Sequence, residues 1–462
     1  MSEGGIFGGV FTRGGPVADD DAWLRAMLAA ESALARALER AGLAPPGAGS
    51  AVTEAAARPG DFDLAELSQS SALTGNPVPG LARALTRLVT DPAAKTAVHK
   101  GATSQDIIDT AAMMLARDAI DTVADSLSAA AAATARLADA HRGSLMIGRT
   151  LLQQAVPVTF GVVAAGWLAG LDGALDGLAS VRASRLAVQF GGAAGTLASL
   201  GPNGAAVKSL MASELGLADP PLPWHTERLR IIDVAVAMTR VTAVLSKIAR
   251  DVTLFAQTEI AEVSEGAPSA AVGAAGAAAP RRGGSSAMPN KSNPVAAVAI
   301  LGCTRQAGGL LATLVASAEQ EEQRAAGAWH AEWQPFSHLL ELAVAAAAWA
   351  RDLLENLTVD TARMAGNLAA AGGLPMAERV TARLRDSLGG PQAHDLVATA
   401  AARAAGSGVP LRDVLLATPD VADRLTEAGI SAAEIEQALN PVGYLGASDA
   451  FIAAALAAHH AR

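Results

Sequence analysis

Residues 283–294 read Gly-Gly-Ser-Ser-Ala-Met-Pro-Asn-Lys-Ser-Asn-Pro, a dense run of groups that can move a proton. Ser285 and Ser286 lie in a glycine-rich stretch, and Lys291 and Asn293 follow at a fixed distance. A hydroxyl nucleophile or base is thereby set beside a cation and an amide donor. That combination suits proton transfer next to a carboxylate, because the enolate-like dianion that forms must be stabilised electrostatically. Serine is a poor base at its free pKa, so neighbouring positive charge and dipoles have to activate it. The glycines permit close backbone approach, while Pro289 and Pro294 fix the turns on the far side. Thr103-Ser104, Thr150 with Gln153, and His225-Thr226 with Arg228 add hydroxyl, amide and cationic donors of the kind that bind carboxylates. Each of these has a plainer reading when taken alone. Thr103-Ser104 ahead of a helix containing Asp106 works as an N-cap, and a single Gln153 or His225 as a satisfied polar residue.

These donors need a scaffold, and the composition points to helices. The chain has 462 residues of which 51% are hydrophobic, enough for a large core and two or three domains. Aromatics are only 3%, and alanine runs such as 129–133 and 343–348 favour closely approaching helices over strands. Trp23, Leu24, Met27, Leu28, Leu34 and Leu38 recur at helical spacing after Asp19, Asp20 and Asp21, which suit the positive start of a helix; Gly42 and Pro45-Pro46 stop it. Further long helices are expected from Asp106 to about Arg142, Pro157 to about Leu186, Ile231 to about Val263, Val295 to Ala326 and His330 to Leu357. Lengths like these pack side by side in a bundle. Residues 266–284, mostly alanine and glycine, cannot pack a core and read as a mobile lid leading into the serines, or, in their first half, as a solvated linker. After about Gly372 shorter units suggest a small helical domain.

Several function classes are disfavoured. A net charge of -10 without a dense basic run argues against nucleic acid. Cys303 is the only cysteine, so no disulfide framework or cysteine-based metal cluster is available, and a buried thiol is expected. The histidines do not cluster with carboxylates at ligand spacing, so neither a metal nor another cofactor is expected. No signal-like segment opens the chain and no uninterrupted apolar run reaches about 18 residues. A cytoplasmic protein without membrane contact is the expectation.

The Ser285–Pro294 stretch resembles the signature Gly-Ser-Ser-x-x-Met-Pro-x-Lys-x-Asn of the fumarase/aspartase superfamily, which is written with one or two residues before the methionine, and Ser285, Ser286, Met288, Pro289, Lys291, Asn293 and Pro294 are in place. His99-Lys100-Gly101-Ala102-Thr103-Ser104-Gln105-Asp106 is similar to its Thr-Ser-x-Asp block, and residues 148–157 to its Gly-Arg-Thr-x-x-Gln-x-Ala-x-Pro block. Pro223-Trp224-His225-Thr226-Glu227-Arg228 is similar to a segment of the adenylosuccinate lyase and carboxymuconate cycloisomerase branches. The resemblance implies an all-α, three-domain fold: an N-terminal helical domain over 1–105, a central long-helix bundle over 106–365 carrying the serine loop 266–294, and a small helical domain over 366–462. It implies Ser285 as base, aided by Lys291 and Asn293, with Ser286 a supporting donor whose role could be exchanged with that of Ser285. As substrate-binding residues it implies Thr103, Ser104, Gln153, Thr150, His99, Arg13, His225, Thr226, Arg228, Ser286, Met288 and Arg324. It further implies a homotetramer whose active sites each draw on three subunits, and a small di- or tricarboxylate substrate.

Phe7–Gly15, Asp21-Ala22-Trp23-Leu24, Gly75-Asn76-Pro77, residues 327–333 and Tyr444-Leu445-Gly446 resemble the 3-carboxy-cis,cis-muconate cycloisomerase branch of aromatic catabolism, the β-ketoadipate route. That branch adds a carboxylate oxygen across a double bond to form a lactone, the reverse in kind of the lyases' β-elimination. The lyases place a catalytic histidine next to Thr150, where this chain has Leu151, as suits the cycloisomerases. Asn290, Ser292, Glu322, Gln323 and Leu229 depart from the branch pattern, and two cationic or titratable positions near the substrate are gone. The alternative they favour is a lyase releasing fumarate from a smaller, dianionic substituted succinate, such as nitrosuccinate or an amino-linked succinate. A non-catalytic scaffold of the same fold is a minor alternative that the retained Ser285, Lys291 and Asn293 disfavour.

Overall fold

The computed structural model describes residues 5–266, 283–284, 288 and 291–462. Among these are eighteen α-helices and only four short strands, paired in two small sheets, as an alanine-rich chain poor in aromatics requires. Five long helices dominate: Ser104–Ala140, Phe160–Ser184, Leu229–Phe255, Val295–Ala316 and Ala328–Glu355. The first has 37 residues, about 55 Å at roughly 1.5 Å per residue. The chain divides into two compact units, residues 1–128, 173–247 and 298–351 in one and 129–172, 248–297 and 352–462 in the other. Every boundary falls inside a long helix.

In the first unit the helix Asp20–Arg40 begins where the aspartates place it. The Asp19 carboxylate accepts the Ala22 amide at 2.9 Å, and Asp20 and Asp21 occupy the positively polarised first turn. It stops at Gly42, which has φ +71. Its buried stripe of Leu24, Met27, Leu28, Leu34 and Leu38 is the expected one. This helix packs on Ala48–Ala56 so closely that a Cβ at Gly49 would lie 2.8 Å from the Arg36 backbone. The same helix also buries Glu31, an acid in an otherwise apolar stretch.

The second unit contains the main correction to the helix expectations. Residues 157–159 do not start a helix; they end a strand, Gln153–Thr159, that pairs antiparallel with Leu145–Thr150. Leu151 and Leu152 form the two-residue turn, with φ +52 and +63. Such turns need a left-handed backbone at both positions and usually carry Asn or Gly, so two leucines gave no warning of one. The helix starts only at Phe160, with the Thr159 hydroxyl accepting the Val162 amide. Two other helices end early, at Phe255 rather than Val263 and at Ala316 rather than Ala326. The helices from Ala377–Leu388 to Ala432–Leu439 share a core of Val380, Leu384, Leu396, Leu411, Leu415 and Ile435. The lid expectation for residues 266–284 falls, except at its ends, outside the described residues.

Phe160–Ser184 and Val295–Ala316 are long and apolar enough, by composition, to cross a membrane. Val295–Ala316 buries Ala296, Ala297, Ile300 and Cys303. Phe160–Ser184 buries Trp167, Leu168 and Leu171, and the Trp167 indole donates to Asp251 at 2.7 Å.

Candidate active site

In the first unit, Thr103 and Ser104 open the helix Ser104–Ala140, and capping there is done from the opposite direction: the Thr103 amide donates to Asp106 Oδ2 at 2.9 Å. The two hydroxyls have no partner among the described residues, so they remain available to a ligand. Asp106 is fully buried and organises more than the cap. Its oxygens also accept the Gly191 and Gly192 amides, both at 2.9 Å, and His225 Nε2 lies 2.6 Å from Oδ1. One carboxylate therefore ties three segments together: the Thr103 turn, the 191–192 loop and the 223–228 segment.

His225 and Arg228, expected to meet substrate, are each held by protein carboxylates. Both are buried, and Arg228 is spent on protein carboxylates. Its guanidinium donates to Asp109 at 2.7 and 3.0 Å and to Glu332 at 2.6 and 3.0 Å. Asp109 also accepts the Trp329 indole at 3.0 Å, and Glu332 accepts Gln320 at 2.8 Å. Burial would lower the Arg228 pKa, but the flanking carboxylates outweigh it and raise it above its ordinary value. Burial pushes the Glu332 carboxyl up despite Arg228. Arg228 is thus the centre of an internal ion network, with its donor directions filled.

Arg324 is half-buried and donates to the Gly192 carbonyl, beside the loop that Asp106 holds; burial lowers its pKa. The Thr226 hydroxyl donates to the Glu322 carbonyl at 2.9 Å, where Glu322 takes a left-handed φ of +43. His99 is clamped by Glu31, which lies 2.6 Å from Nδ1 and accepts the His99 amide at 3.0 Å. Arg13 stacks 4.0 Å from the centre of the Trp349 ring. Thr103, Ser104, His225, Arg324 and the 191–192 loop accordingly form one constellation around Asp106.

In the second unit Thr150 and Gln153 pair across the hairpin tip, and both are exposed. Leu151 between them is 96% exposed. Gln153 and Gln154 line a cleft of about 690 Å³ together with Leu374, Pro375 and Glu378. The strand is anchored below the tip by Arg149, which forms a two-pronged pair with buried Glu262 at 2.8 and 2.9 Å. Lys291 is exposed, while Asn293 is fixed: its amide and its Nδ2 both donate to the Gly283 carbonyl, at 2.9 and 3.0 Å. A bridge joins Gly284 to Ser292, and the Lys291 amide donates to the Met288 carbonyl at 3.0 Å. Gly283 has φ +74, and a Cβ there would collide with the Asn293 carbonyl. The helix that follows is capped by Glu265, whose oxygens accept the Ala296 and Ala297 amides at 3.0 and 2.9 Å. Ser285 and Ser286 lie outside the described residues.

Sequence reasoning overlooked the buried carboxylates Glu31, Asp109, Glu262 and Glu332. The available signal was an acid on an apolar helix face, as with Asp106 and Asp109 one turn apart among Ile107, Ile108, Ala111 and Ala112, where burial demands a partner.

Residues 17–309 match the Lyase family model, and residues 373–455 match that for the adenylosuccinate lyase C-terminus. Nitrosuccinate lyase of Streptomyces davaonensis is 44% identical over 443 residues, 94% of this chain and 90% of the relative. The 3-carboxy-cis,cis-muconate cycloisomerase of Bradyrhizobium diazoefficiens is 43% identical over 436 residues, 94% and 93% of the two chains. Among solved structures, the 3-carboxy-cis,cis-muconate lactonizing enzyme from Pseudomonas putida superposes with a TM-score of 0.88 at 36% identity, covering 99% of each chain. The chain therefore belongs to the Lyase family, within the fumarase/aspartase superfamily of carboxylate-handling enzymes.

Proposed function

We propose that the protein is a 3-carboxy-cis,cis-muconate cycloisomerase-like enzyme that moves a single proton at a carbon beside a carboxylate. The observation that carries this reading is Leu151. It stands fully outward at the hairpin tip between Thr150 and Gln153, where the lyases of the superfamily place a histidine, and its side chain cannot hold a proton. Lactonisation needs no proton there. A carboxylate oxygen of the substrate adds to the double bond, and the electron pair moves onto the carbon beside another carboxylate. Lys291 and Asn293 stabilise the resulting dianion, and the Ser285 hydroxyl delivers its proton to that carbon.

A second reading is elimination of nitrite from nitrosuccinate. Ser285 would take the proton beside the carboxylate, the C–N bond would break, and nitrite would leave with the electron pair as a stable anion. An amine leaving group requires a proton at nitrogen and is disfavoured by Leu151. The observation favouring this smaller substrate is Arg228: Asp109 and Glu332 occupy it, leaving one cation fewer for a third carboxylate.

The deciding experiment follows ultraviolet absorbance with 3-carboxy-cis,cis-muconate, beside fumarate and nitrite release from nitrosuccinate. Turnover of the first alone establishes the cycloisomerase; turnover of nitrosuccinate alone establishes the lyase; activity on neither refutes both. The reading extends to a cytoplasmic homotetramer of three-domain subunits, with Thr103, Gln153 and Ser285 drawn from different chains. A fully active monomer in light scattering would overturn that extension.

A further inference from the structure

His99 has a backbone that histidine rarely adopts, with φ +53, and it is held there by one side chain. Glu31, projecting from the helix Asp20–Arg40, is fully buried and touches His99 twice: one oxygen lies 2.6 Å from Nδ1, the other accepts the His99 amide at 3.0 Å. A carboxylate with no access to water needs a donor or a positive charge, and His99 supplies both. Nε2 has no partner among the described residues, and the side chain keeps 24% exposure. Four residues on, Thr103 opens the constellation around Asp106. Strain of this sort persists where the surroundings over-determine it and is concentrated at functional sites.

We propose that Glu31 is a positioning residue that fixes the His99 proton on Nδ1, so that Nε2 is the face offered to a substrate carboxylate. The proposal rests on the carboxylate-binding part of the function proposed above and adds to it the group that governs its pH dependence. Protonated His99 donates from Nε2 to the carboxylate; neutral His99, with its proton kept on Nδ1, offers a lone pair and repels it. The groups facing His99 are Glu31 from one helix and Asp106 from the helix Ser104–Ala140, whereas neighbouring Lys100 is engaged with the Leu43 carbonyl. Burial alone would lower the imidazole pKa; the hydrogen bond to Glu31 and the charges of Glu31 and Asp106 outweigh it and raise it. Carboxylate binding is therefore present at low pH and fades as pH rises through this raised value.

The test uses the intact protein and fumarate as probe. Nitrogen-15 NMR of the imidazoles gives the tautomer and titration of His99, and calorimetry gives the fumarate Kd against pH, for wild type, E31Q and H99N. In wild type, neutral His99 is expected to carry its proton on Nδ1, and Kd to rise about tenfold per pH unit above its pKa. E31Q should move both the titration and the alkaline limb of Kd down by about one pH unit or more, and H99N should weaken binding and erase the limb. Should E31Q fail to fold, the wild-type tautomer and H99N still decide. A neutral His99 protonated on Nε2, an unshifted titration in E31Q, or an unchanged limb in H99N overturns the proposal. Because no turnover is measured, absence of activity on muconate or nitrosuccinate would remove the reaction assignment and leave this result standing.

Discussion

Replacing Arg228 by methionine separates an internal structural role from contact with substrate. The side chain has similar reach, yet it leaves Asp109 and Glu332 buried without the cation from which each accepts its hydrogen bonds. Removing one partner of a buried pair costs about 3–5 kcal/mol, and two carboxylates orphaned together place Arg228→Met toward the upper end. At roughly 2.1 cal/mol/K of unfolding entropy per residue, a loss of about 4 kcal/mol lowers the midpoint of a 462-residue chain by about 4 °C. The deficit should depend on pH in a defined direction. The Glu332 carboxyl already lies above its ordinary value of 4.5 through burial, and loss of Arg228 raises it further. An acid whose folded pKa exceeds its unfolded one binds a proton on folding, so its penalty is absent below the unfolded value and grows as pH rises through the folded one. Arg228→Met should therefore be least destabilised at acid pH, below the ordinary carboxyl value of 4.5, and increasingly destabilised as the pH rises above it. Scanning calorimetry of both proteins at several pH values, beside kcat and KM at permissive temperature, reads this out. A variant with unchanged thermal stability but a greatly raised KM would refute the network argument and return Arg228 to the substrate.

Ser285→Ala should lower kcat about a hundred- to ten-thousandfold, as loss of a general acid–base group does, with the fold intact by circular dichroism; undiminished turnover excludes it as the proton-transfer group. Lys291→Ala should cost about a hundred- to thousandfold in kcat with a smaller change in KM, since its charge acts on the intermediate; a pure KM effect would contradict that role. Gly283→Ala should abolish most activity without moving the thermal midpoint, because the new Cβ meets the Asn293 carbonyl at a left-handed backbone position; a fully active variant would show that the latch is dispensable. Cys303 is buried and its thiol is pushed up to about 12 by burial, so a thiol reagent at neutral pH should label it only after unfolding; rapid labelling of the native protein would contradict the packing of the helix Val295–Ala316.

The architecture was legible where periodicity and end signals agreed. Asp19 and Gly42 bracket their helix as their chemistry requires, and the Leu24–Leu38 stripe faces inward. The hairpin was not legible, because Leu151 and Leu152 adopt left-handed conformations that leucine does not advertise, and because Pro157 suits a helix start as well as a strand facing Ile147. In the site, residue types indicated which groups could bind a carboxylate but not which were already occupied. His225 and Arg228 look like anion binders in sequence, and only the folded positions of Asp106, Asp109 and Glu332 reveal that protein carboxylates engage them first. Thr103 and Ser104 are the reverse case: the N-cap reading predicted engaged hydroxyls, and the cap bond runs instead from the Thr103 amide to Asp106.

The Gly283–Asn293 latch has a bearing on how this enzyme family could diversify. Upstream, the Gly266 amide is fastened to the Asn356 carbonyl; downstream, the two hydrogen bonds to Gly283 set the register of Asn293 and Lys291 independently of what precedes them. Both posts are held by bonds that lie outside residues 267–282, the alanine- and glycine-rich run between them in sequence. Insertions and deletions between the posts leave the lysine–asparagine spacing untouched, because the bonds to Gly283 set it. The two posts, and not the length of the run between them, fix where the proposed proton-transfer groups stand relative to one another.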